Sequence, residues 1–551
     1  MPDMPASLVA SEDTPYSKTA WLSPWGDALW HSRFIGWLCR VLWKSPTVSL
    51  LQEPTLTDTN SIGEAAVPQT SWGMILGLWS TWLVWLVGFS VMSSDAIALM
   101  LVSSCLLWGG VAGYRQGIAL TLQHLWQWLV HPKALLDQYV LLYLALIVLA
   151  TAWSSFISSA LIGWLKYSLM VIPCYGFTRI ACHYLVTQKT KTPIKHWHPL
   201  YWVIGAGILQ AGIGLYQYKL GVAPQATWVD PSTLPEHQLT RVFGTLLPLN
   251  PNLYAGFLLP TYALTLILGV IRPLWEHLIH PKLQQHPTHQ TTKAISLKPL
   301  VLGVTLTGLL LLGILLSGCR GAYVSAGCMT LASYLALGHV LWYVPTTTDR
   351  GTDTKQRLKT WWLTLGGTTT LLASCALWLS PALLNRLLSI GKMAEDSSIA
   401  YRFHVYQSVL HMIQDHWLFG IGPGNDTFKK VYGFYMHSGF NALGAYSVPL
   451  EYFVELGLGG LLWFLGLGVL ISICLMGTIE TPPQDPKTTN ATSTDTPWIL
   501  LASGSAIAIL LLHGFVDTVW FRPPIQCLMW ILLGVFTTCW VHHVHPKQAS
   551  A

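Results

Sequence analysis

The sequence predicts an all-α polytopic membrane protein with about twelve transmembrane helices. Three observations predict it: apolar residues make up 52% of the 551 residues, charged residues only 10%, and the apolar residues form long runs. A soluble domain carries about 25% charged residues. The 28 Trp residues also suit a protein with aromatic belts at two membrane interfaces.

Apolar runs of about twenty residues define the predicted spans. The candidates are residues 72–93, 95–113, 138–153, 160–184, 200–218, 252–271, 299–317, 321–343, 361–381, 448–475, 498–516 and 524–541. The predicted organisation is a cytoplasmic leader at 1–71 with a candidate interfacial helix, nine spans within 72–381, a large periplasmic segment at 382–447, three spans within 448–541 and a tail at 542–551.

The distribution of basic residues predicts the orientation. An even number of spans puts both termini on one side, and most of the 30 Lys and Arg residues lie in segments on that side. The positive-inside rule then makes both termini cytoplasmic, in a multi-pass protein of the inner (cytoplasmic) membrane, and makes 382–447 periplasmic. The net charge of +6 reflects this orientation. No basic run indicates nucleic acid, so no nucleic-acid partner is expected.

Metal ions and cofactors are not expected. The ten Cys residues lie almost wholly in or beside spans and form no Cys-x-x-Cys motif. The clustered His residues lie in polar segments without thiols, which favours solvated linkers over metal ligands. No Walker A or Rossmann glycine pattern occurs, which argues against an ATP-driven pump working alone.

A single arginine, Arg320, lies between two adjoining apolar stretches. A cation is costly in hydrocarbon, so such a residue marks by default a site for an anion. The small residues around it allow close backbone approach, and the next helix would begin there with its positive dipole end toward the same point. The structural alternative is that Arg320 pairs with Asp517 or Glu455.

Three further polar groups lie on the predicted outer side. Arg241 precedes Asn252, which we expect to cap the sixth span and to favour anions there, although an ordinary loop Arg with a capping Asn is an equal alternative. Apolar and aromatic residues between 399 and 413 keep a helical period, and Arg402 lies beside that face.

A glycine-rich turn follows this predicted helix, at residues 417–426. Its Gly422 and Gly424 would present N–H groups to an anion, although a plain helix stop explains most of the turn. Glu451 and Glu455 lie one turn apart at the start of the tenth span, which makes them candidates for handling a proton or pairing with an arginine. Asp517, at the end of the eleventh span, completes the set.

Together these motifs resemble those of the O-antigen ligase/polymerase superfamily. The matching motifs are Arg241 with Asn250-Pro251-Asn252, Ser317-x-x-Arg320-Gly321, Arg402 with Trp417-Leu418-Phe419-Gly420-Ile421-Gly422-Pro423-Gly424-Asn425, and Glu455-Leu456-Gly457. More closely, Asn425, Ala445-Tyr446-Ser447-Val448-Pro449-Leu450-Glu451 and His513-Gly514-x-x-Asp517-Thr518-x-x-x-Arg522-Pro523 resemble the cyanobacterial IctB group, which is labelled as bicarbonate transporters. The resemblance covers roughly residues 70–541.

The resemblance implies a twelve-span helical fold of the lipid-sugar-dependent (GT-C-like) glycosyltransferase kind, without a metal. Ligases of this kind move a glycan from a polyprenyl diphosphate to an acceptor hydroxyl on the periplasmic side. Their arginines neutralise the diphosphate, a role matched by Arg241 and Arg320 here, with Arg402 steering the head group.

One departure concerns the general base. The ligases carry a His-Asn pair about ten residues before the Glu-x-Gly motif, where this chain has Tyr446-Ser447. A Tyr has an ordinary pKa near 10 and is a poor base at neutral pH. Either another group, among His437, Glu451 and Asp426, activates the acceptor, or the ligase chemistry is lost.

Two functions therefore compete, with a non-catalytic regulatory partner as a third. The first is transfer of a polyprenyl-diphosphate-linked glycan in the lipid membrane, and the second is transport of a small anion, bicarbonate. The expected catalytic residues are His437, Glu451 and Tyr446; the expected anion-binding residues are Arg241, Arg320, Arg402 and Asn252; the expected supporting residues are Glu455, Asp517, Gly422, Gly424 and Asn425. The oligomeric state stays open.

Overall fold

The computed structural model describes most of the predicted bundle. The described residues are 94–130, 135–187, 199–221, 241–246, 249–275, 298–343, 397–437, 439–480 and 496–544, with a few positions between 356 and 363. The predicted leader at 1–71, the span at 72–93 and most of the span at 361–381 lie outside these residues. All of the helices belong to one unit of the chain, Pro68–Ala551.

Helices account for nearly all of the described residues. They are α1 Ser94–Gln116, α2 Ile118–Val130, α3 Leu135–Trp153, α4 Ile157–Val171, α5 Thr178–Thr187, α6 Pro199–Leu220, α7 Pro251–Thr265, α8 Arg272–Leu274, α9 Lys298–Leu316, α10 Arg320–Tyr343, α11 Ser397–His416, α12 Asn425–Tyr432, α13 Val448–Glu480, α14 Thr496–Gly514 and α15 Pro523–Val544. The π-helical turns Ile172–Phe177 and Leu266–Ile271 join α4 to α5 and α7 to α8.

Eight of these helical stretches are long and apolar enough to cross a membrane, counting only the described part of the chain. They are Asp95–Tyr114, Leu135–Trp153, Ile157–Tyr184, Pro251–Leu274, Lys298–Leu316, Val448–Thr478, Thr496–Gly514 and Pro523–His542. The predicted spans at 200–218 and 321–343 also fall on helices, α6 and α10. The arrangement is all-helical, as predicted, and consistent with a polytopic membrane protein.

The centre of the bundle is formed by α7, α14 and α15. These helices are apolar on every face and their side chains are almost all buried, because neighbouring helices surround them. The remaining spans form an outer layer whose Leu, Ile and Val side chains are widely exposed, as expected for a surface that meets lipid.

A buried ion pair fastens three of the helices together. The Arg179 guanidinium donates to both carboxylate oxygens of Asp137, at 3.0 and 2.8 Å, and to Thr538 Oγ1 at 3.1 Å. Tyr175 Oη also donates to Asp137. A charge inside the membrane is tolerated when it is paired in this way, so Arg179, which lies within the predicted span 160–184, has a structural partner.

Several connections meet at one end of the bundle, here named the loop end. It consists of residues 241–246, 249–250, 317–319 and 515–522, together with residues 397–437 and 439–447 of the outer segment. Within that segment, α11 confirms the helix predicted from the periodicity of 399–413. The polar groups singled out in the sequence lie in these connections or in the adjoining helix ends.

Candidate functional site

The loop that carries Arg241 runs back along α6 and is held there by two glutamines. Gln217 Oε1 accepts the N–H of Gly244 at 2.9 Å, and Gln217 Nε2 donates to the Gly244 carbonyl at 2.7 Å. Gln210 bonds Thr245 through both ends of its amide, at 2.8 and 3.2 Å. Inside a membrane protein there is no water to bond these backbone groups, and the two glutamines bond them instead. The conformation of residues 241–246 is thereby fixed against α6.

The Arg241 side chain crosses to the connection between α9 and α10. Its Nε donates to the carbonyl oxygen of Ser317 at 3.0 Å, and its Nη2 donates to Asn252 Oδ1 at 2.8 Å. It lies directly over Gly318, where φ is +65° and a Cβ atom would come within 3.0 Å of Arg241 Cγ. A glycine at this position therefore serves both the turn and the close approach of the arginine.

Asn252 links two charged groups, and the helix cap is another residue. Asn250 is the N-cap of α7, and its side chain accepts the Asn252 N–H at 2.7 Å. The sequence had placed the cap at Asn252. Because Asn250 performs that function, the Asn252 amide is available to accept from Arg241 and to donate to Asp517 Oδ2 at 2.9 Å.

Asp517 is a buried carboxylate that a second arginine reaches from α11. Arg402 Nη1 donates to the Val516 carbonyl at 2.6 Å, and its Nη2 lies 3.4 Å from Asp517 Oδ2. The Asp517 side chain is 10% exposed and the Arg402 side chain 26% exposed. The predicted helix 399–413 is thereby attached to the end of α14.

Arg320 brings a third guanidinium group to the same place. It is the first residue of α10 and is half-buried, and the adjoining Gly321 packs against Val516 and His513. Burial is the largest effect on the pKa of Arg241 and lowers it, and the positive charge of Arg320 also lowers it, while Cys319, Tyr323 and Asp517 act in the opposite direction. Arg241 and Arg402 contact the Asn252–Asp517 pair directly, and Arg320 begins α10 two residues after Gly318, over which the Arg241 side chain lies.

A break in α13 receives the glycine-rich turn. At Gly457 the backbone φ is +67°, and the helix is interrupted. The turn pairs with the strained segment: the Ile421 N–H donates to the Val454 carbonyl at 2.8 Å, and the Gly422 N–H donates to the Glu455 carbonyl at 3.0 Å. The turn thus provides hydrogen-bond partners for backbone groups of α13 that the break leaves without partners in the helix.

The Glu455 carboxylate fastens the turn in place. It accepts the Gly424 N–H at 2.9 Å and the Tyr167 hydroxyl at 3.0 Å, and it is fully buried. The N–H groups of Gly422 and Gly424 therefore bond to Glu455 and do not point to solvent. The Glu455 side chain, which the sequence predicted to handle a proton or to pair with an arginine, bonds the Gly424 N–H and the Tyr167 hydroxyl in the structure.

The glycine-rich turn is distant from the arginines. Arg402 lies in the second turn of α11, and the glycine-rich turn follows the other end of that helix. At 1.5 Å per residue the separation along α11 is about 20 Å. Asn425 begins α12 beyond this turn. Gly422, Gly424 and Glu455 therefore hold the outer segment against the bundle, while Asn425 is exposed, and all four lie outside the arginine group.

The three candidate catalytic residues have different surroundings. Glu451 is buried, and its carboxylate accepts the N–H of Ala445, which shapes the turn before α13. In that turn Tyr446 has a φ of +53°, a strained value for a residue with a side chain. The Arg402 guanidinium lies 5.7 Å from the centre of the Tyr446 ring. His437 is exposed and contacts the ring of His404.

The protonation of Tyr446 follows from its position. Burial raises the pKa of the Tyr446 phenol above its ordinary value, and the neighbouring Tyr401 raises it as well. Arg402 opposes this shift without cancelling it. The phenol is consequently neutral at physiological pH and does not accept a proton there.

Sequence reasoning missed the residues that position this group. Gln210, Gln217 and Tyr167 lie within apolar helices and hold the Arg241 loop or Glu455. A signal was present, because Gln210 and Gln217 are seven residues apart in a predicted span and so share one helix face. Among the described residues, no group of three or more His, Cys, Asp or Glu side chains is arranged to hold a metal ion.

Comparison with known proteins bears on the family. Residues 305–465 match the model of the Wzy_C family, described as O-antigen ligase. The matched stretch includes Arg320, Arg402, Tyr446 and the break in α13, whereas Arg241 and Asp517 lie outside it. No curated protein matches the chain. The chain is therefore similar to O-antigen ligases over residues 305–465, and its membrane-length helices are consistent with a membrane protein.

Proposed function

We propose that this protein binds a polyprenyl-diphosphate-linked glycan at the periplasmic face of the inner membrane and transfers the glycan to an acceptor. The observation that carries the proposal is that Arg241 and Arg402 contact the Asn252–Asp517 pair, with Arg320 at the adjoining start of α10. The positive-inside rule, applied to the basic residues of the sequence, puts the loop end in the periplasm and both termini in the cytoplasm.

The charge of the group favours a diphosphate over bicarbonate. Three guanidinium groups and the carboxylate of Asp517 leave a residual charge of about +2. A diphosphate esterified at both ends carries one negative charge on each phosphoryl group and so matches this charge. Bicarbonate carries a single negative charge and would leave part of it uncompensated. Guanidinium groups also bond phosphate oxygens in pairs, which fixes the orientation of the ligand.

The same charges suit the departure of the diphosphate. In transfer, the acceptor hydroxyl attacks the sugar carbon that carries the diphosphate, the bond from that carbon to the diphosphate oxygen breaks, and the hydroxyl proton goes to a base. Arginines fixed at the diphosphate stabilise the charge that develops on it. Tyr446 is protonated and Glu451 already accepts a backbone N–H, so neither of these two residues is proposed as the proton acceptor.

Binding in lipid nanodiscs tests the proposal. We expect farnesyl diphosphate to bind the full-length protein and Arg320→Ala to weaken the binding. A charged hydrogen bond contributes about 1.5–3 kcal/mol, so the expected loss is about ten- to a hundredfold. Lys166→Ala is the control, because Lys166 is an exposed cation that pairs with Asp95 at 3.7 Å.

Transport of bicarbonate, which the likeness to the IctB group implies, is the competing outcome. Liposomes containing the purified protein are assayed for uptake of labelled bicarbonate. We expect no uptake above that of empty liposomes. Uptake that Arg320→Ala abolishes, together with no measurable binding of farnesyl diphosphate, would refute the proposed function.

A further inference from the structure

A row of aromatic rings leads from the arginine group toward the surface. It is named here the ring strip and consists of Tyr446, Tyr401, Phe440, His404 and His437. The Tyr446 ring lies beside Arg402, and the successive ring centres are 5.9 Å apart from Tyr446 to Tyr401, 5.6 Å from Tyr401 to Phe440, 4.4 Å from Phe440 to His404 and 5.7 Å from His404 to His437. Each ring therefore contacts the next.

The positions of the inner rings are fixed by polar contacts. The Tyr401 hydroxyl donates to the carbonyl of Asn441, and the Tyr406 hydroxyl donates to the carbonyl of Tyr446 at 3.3 Å. Tyr446 keeps its positive φ in a turn that the buried Glu451 holds through Ala445. Strain of this kind persists where the surrounding structure imposes it, often at a ligand-binding site.

The composition of the ring strip points to a polar ligand with apolar faces. Two Tyr and two His residues combine flat ring faces with hydrogen-bonding groups, whereas a surface that meets only hydrocarbon would need no such groups. His437, at the outer end, is exposed, and Phe440 and His404 are half-buried. Sugars have this dual character, since their C–H faces stack on rings and their hydroxyl groups form hydrogen bonds.

We infer that the ring strip binds the sugar units that are attached to the diphosphate. The inference rests on the proposed function, and it adds the residues that would recognise the glycan. Arg402 connects the arginine group to the ring strip, because it contacts both Asp517 and the ring of Tyr446. A glycan whose diphosphate lies among the arginines would pass over Tyr446 and extend along Tyr401 and Phe440 toward His437.

Binding of paired probes to the full-length protein in nanodiscs tests the inference. The probes are the methyl ester of farnesyl diphosphate, here called the bare lipid, and farnesyl diphosphate with a disaccharide or a tetrasaccharide on its terminal phosphate, so that every probe carries the charge of a diester and the longer glycan can reach His437. We expect at least one sugar-bearing probe to bind about fivefold more tightly than the bare lipid, as one or two ring contacts would give. Phe440→Ala should remove this gain and leave binding of the bare lipid unchanged.

Phe434→Ala is the matched control. Phe434 belongs to the same segment and is 77% exposed, but its ring stacks on Phe156 and lies outside the ring strip. A gain that survives in Phe440→Ala, or the lack of any gain in the unmodified protein, overturns the inference while binding of the bare lipid still supports the proposed function. If the protein binds no lipid diphosphate, the proposed function fails and the inference fails with it.

A measurement on the unmodified protein avoids any folding defect of the variant. Diethyl pyrocarbonate modifies exposed imidazoles, and the rate at His437 is compared with that at His411, which is exposed on α11. We expect the tightest sugar-bearing probe to slow the modification of His437 and not of His411, and the bare lipid to protect neither. Equal rates at His437 with and without that probe would contradict the inference.

Discussion

At the scale of single residues, Asn252 has the most demanding role in the arginine group. Its side-chain amide accepts a hydrogen bond from the Arg241 guanidinium and donates one to the Asp517 carboxylate. Asn252 therefore lies between a cation and an anion and keeps them apart. An amide can do both because it has a donor and an acceptor. A carboxylate or an ammonium at this position would lose one of the two bonds.

Replacing Asn252 should therefore affect binding more than stability. We expect Asn252→Ala to weaken binding of farnesyl diphosphate about tenfold, since Arg241 loses the bond that orients it. Asn250→Ala is the paired variant, which removes the cap of α7 and should cost about 1 kcal/mol of stability. Affinity and thermal unfolding are measured for both, and equal loss of affinity in the two variants would argue against an orienting role.

At the scale of elements, the break in α13 determines how the outer segment meets the bundle. The helix is interrupted at Gly457, and the turn at 417–424 supplies the backbone partners that the break leaves open. Glu455 adds a side-chain anchor through Gly424 and Tyr167. Because α11 is continuous with this turn, the break also fixes the helix that carries Arg402.

A methyl group at Gly457 should disrupt this junction. A Cβ atom there would overlap the Leu418 carbonyl, and the positive φ is unfavourable for Ala. We expect Gly457→Ala to lower the free energy of unfolding by about 2 kcal/mol or more. Gly468→Ala, in the same helix and with open space around it, should be neutral or slightly stabilising.

Thermal unfolding in detergent, followed by tryptophan fluorescence, compares the two variants with the unmodified protein. The expected result is a lower transition temperature for Gly457→Ala alone. Equal transition temperatures for Gly457→Ala and the unmodified protein would mean that the backbone at 457 can return to a helical conformation without cost.

At the scale of the whole molecule, the orientation in the membrane decides which compartment supplies the ligand. The arginine group and the ring strip both belong to the loop end, so both face the same compartment. The basic residues of the sequence predict that this compartment is the periplasm. A glycan donor would then have to be presented on the periplasmic leaflet before it binds.

Labelling of single cysteines tests the orientation. In a background in which all ten native cysteines are replaced by Ser, we expect Lys429→Cys to react with a membrane-impermeant maleimide in spheroplasts and Thr489→Cys to react only after lysis. Lys429 is exposed on α12, and residue 489 belongs to the linker between the tenth and eleventh predicted spans. The reverse pattern would place the loop end in the cytoplasm and contradict the predicted topology.

The sequence by itself determined the helical, multi-pass character of the chain and the identities of the three arginines. Both follow from local properties: a run of apolar residues long enough to span the membrane predicts a helix wherever it occurs, and a charge such as Arg320 is conspicuous among apolar residues. The helix of 397–416 also followed from local periodicity.

Only the tertiary structure decided the roles of the residues around those arginines. Asn252 and Asp517 are 265 residues apart in the chain, and Glu455 and Tyr167 are 288 residues apart, so no local pattern records that they bond. The same holds for the N–H groups of Gly422 and Gly424: the sequence predicts that they face an anion, whereas in the structure Glu455 accepts both, the first at its carbonyl and the second at its carboxylate. The partner of a polar side chain depends on which helix ends lie next to each other in the bundle. Apolar periodicity predicts which face of a helix is buried, but it does not predict which other helix covers that face.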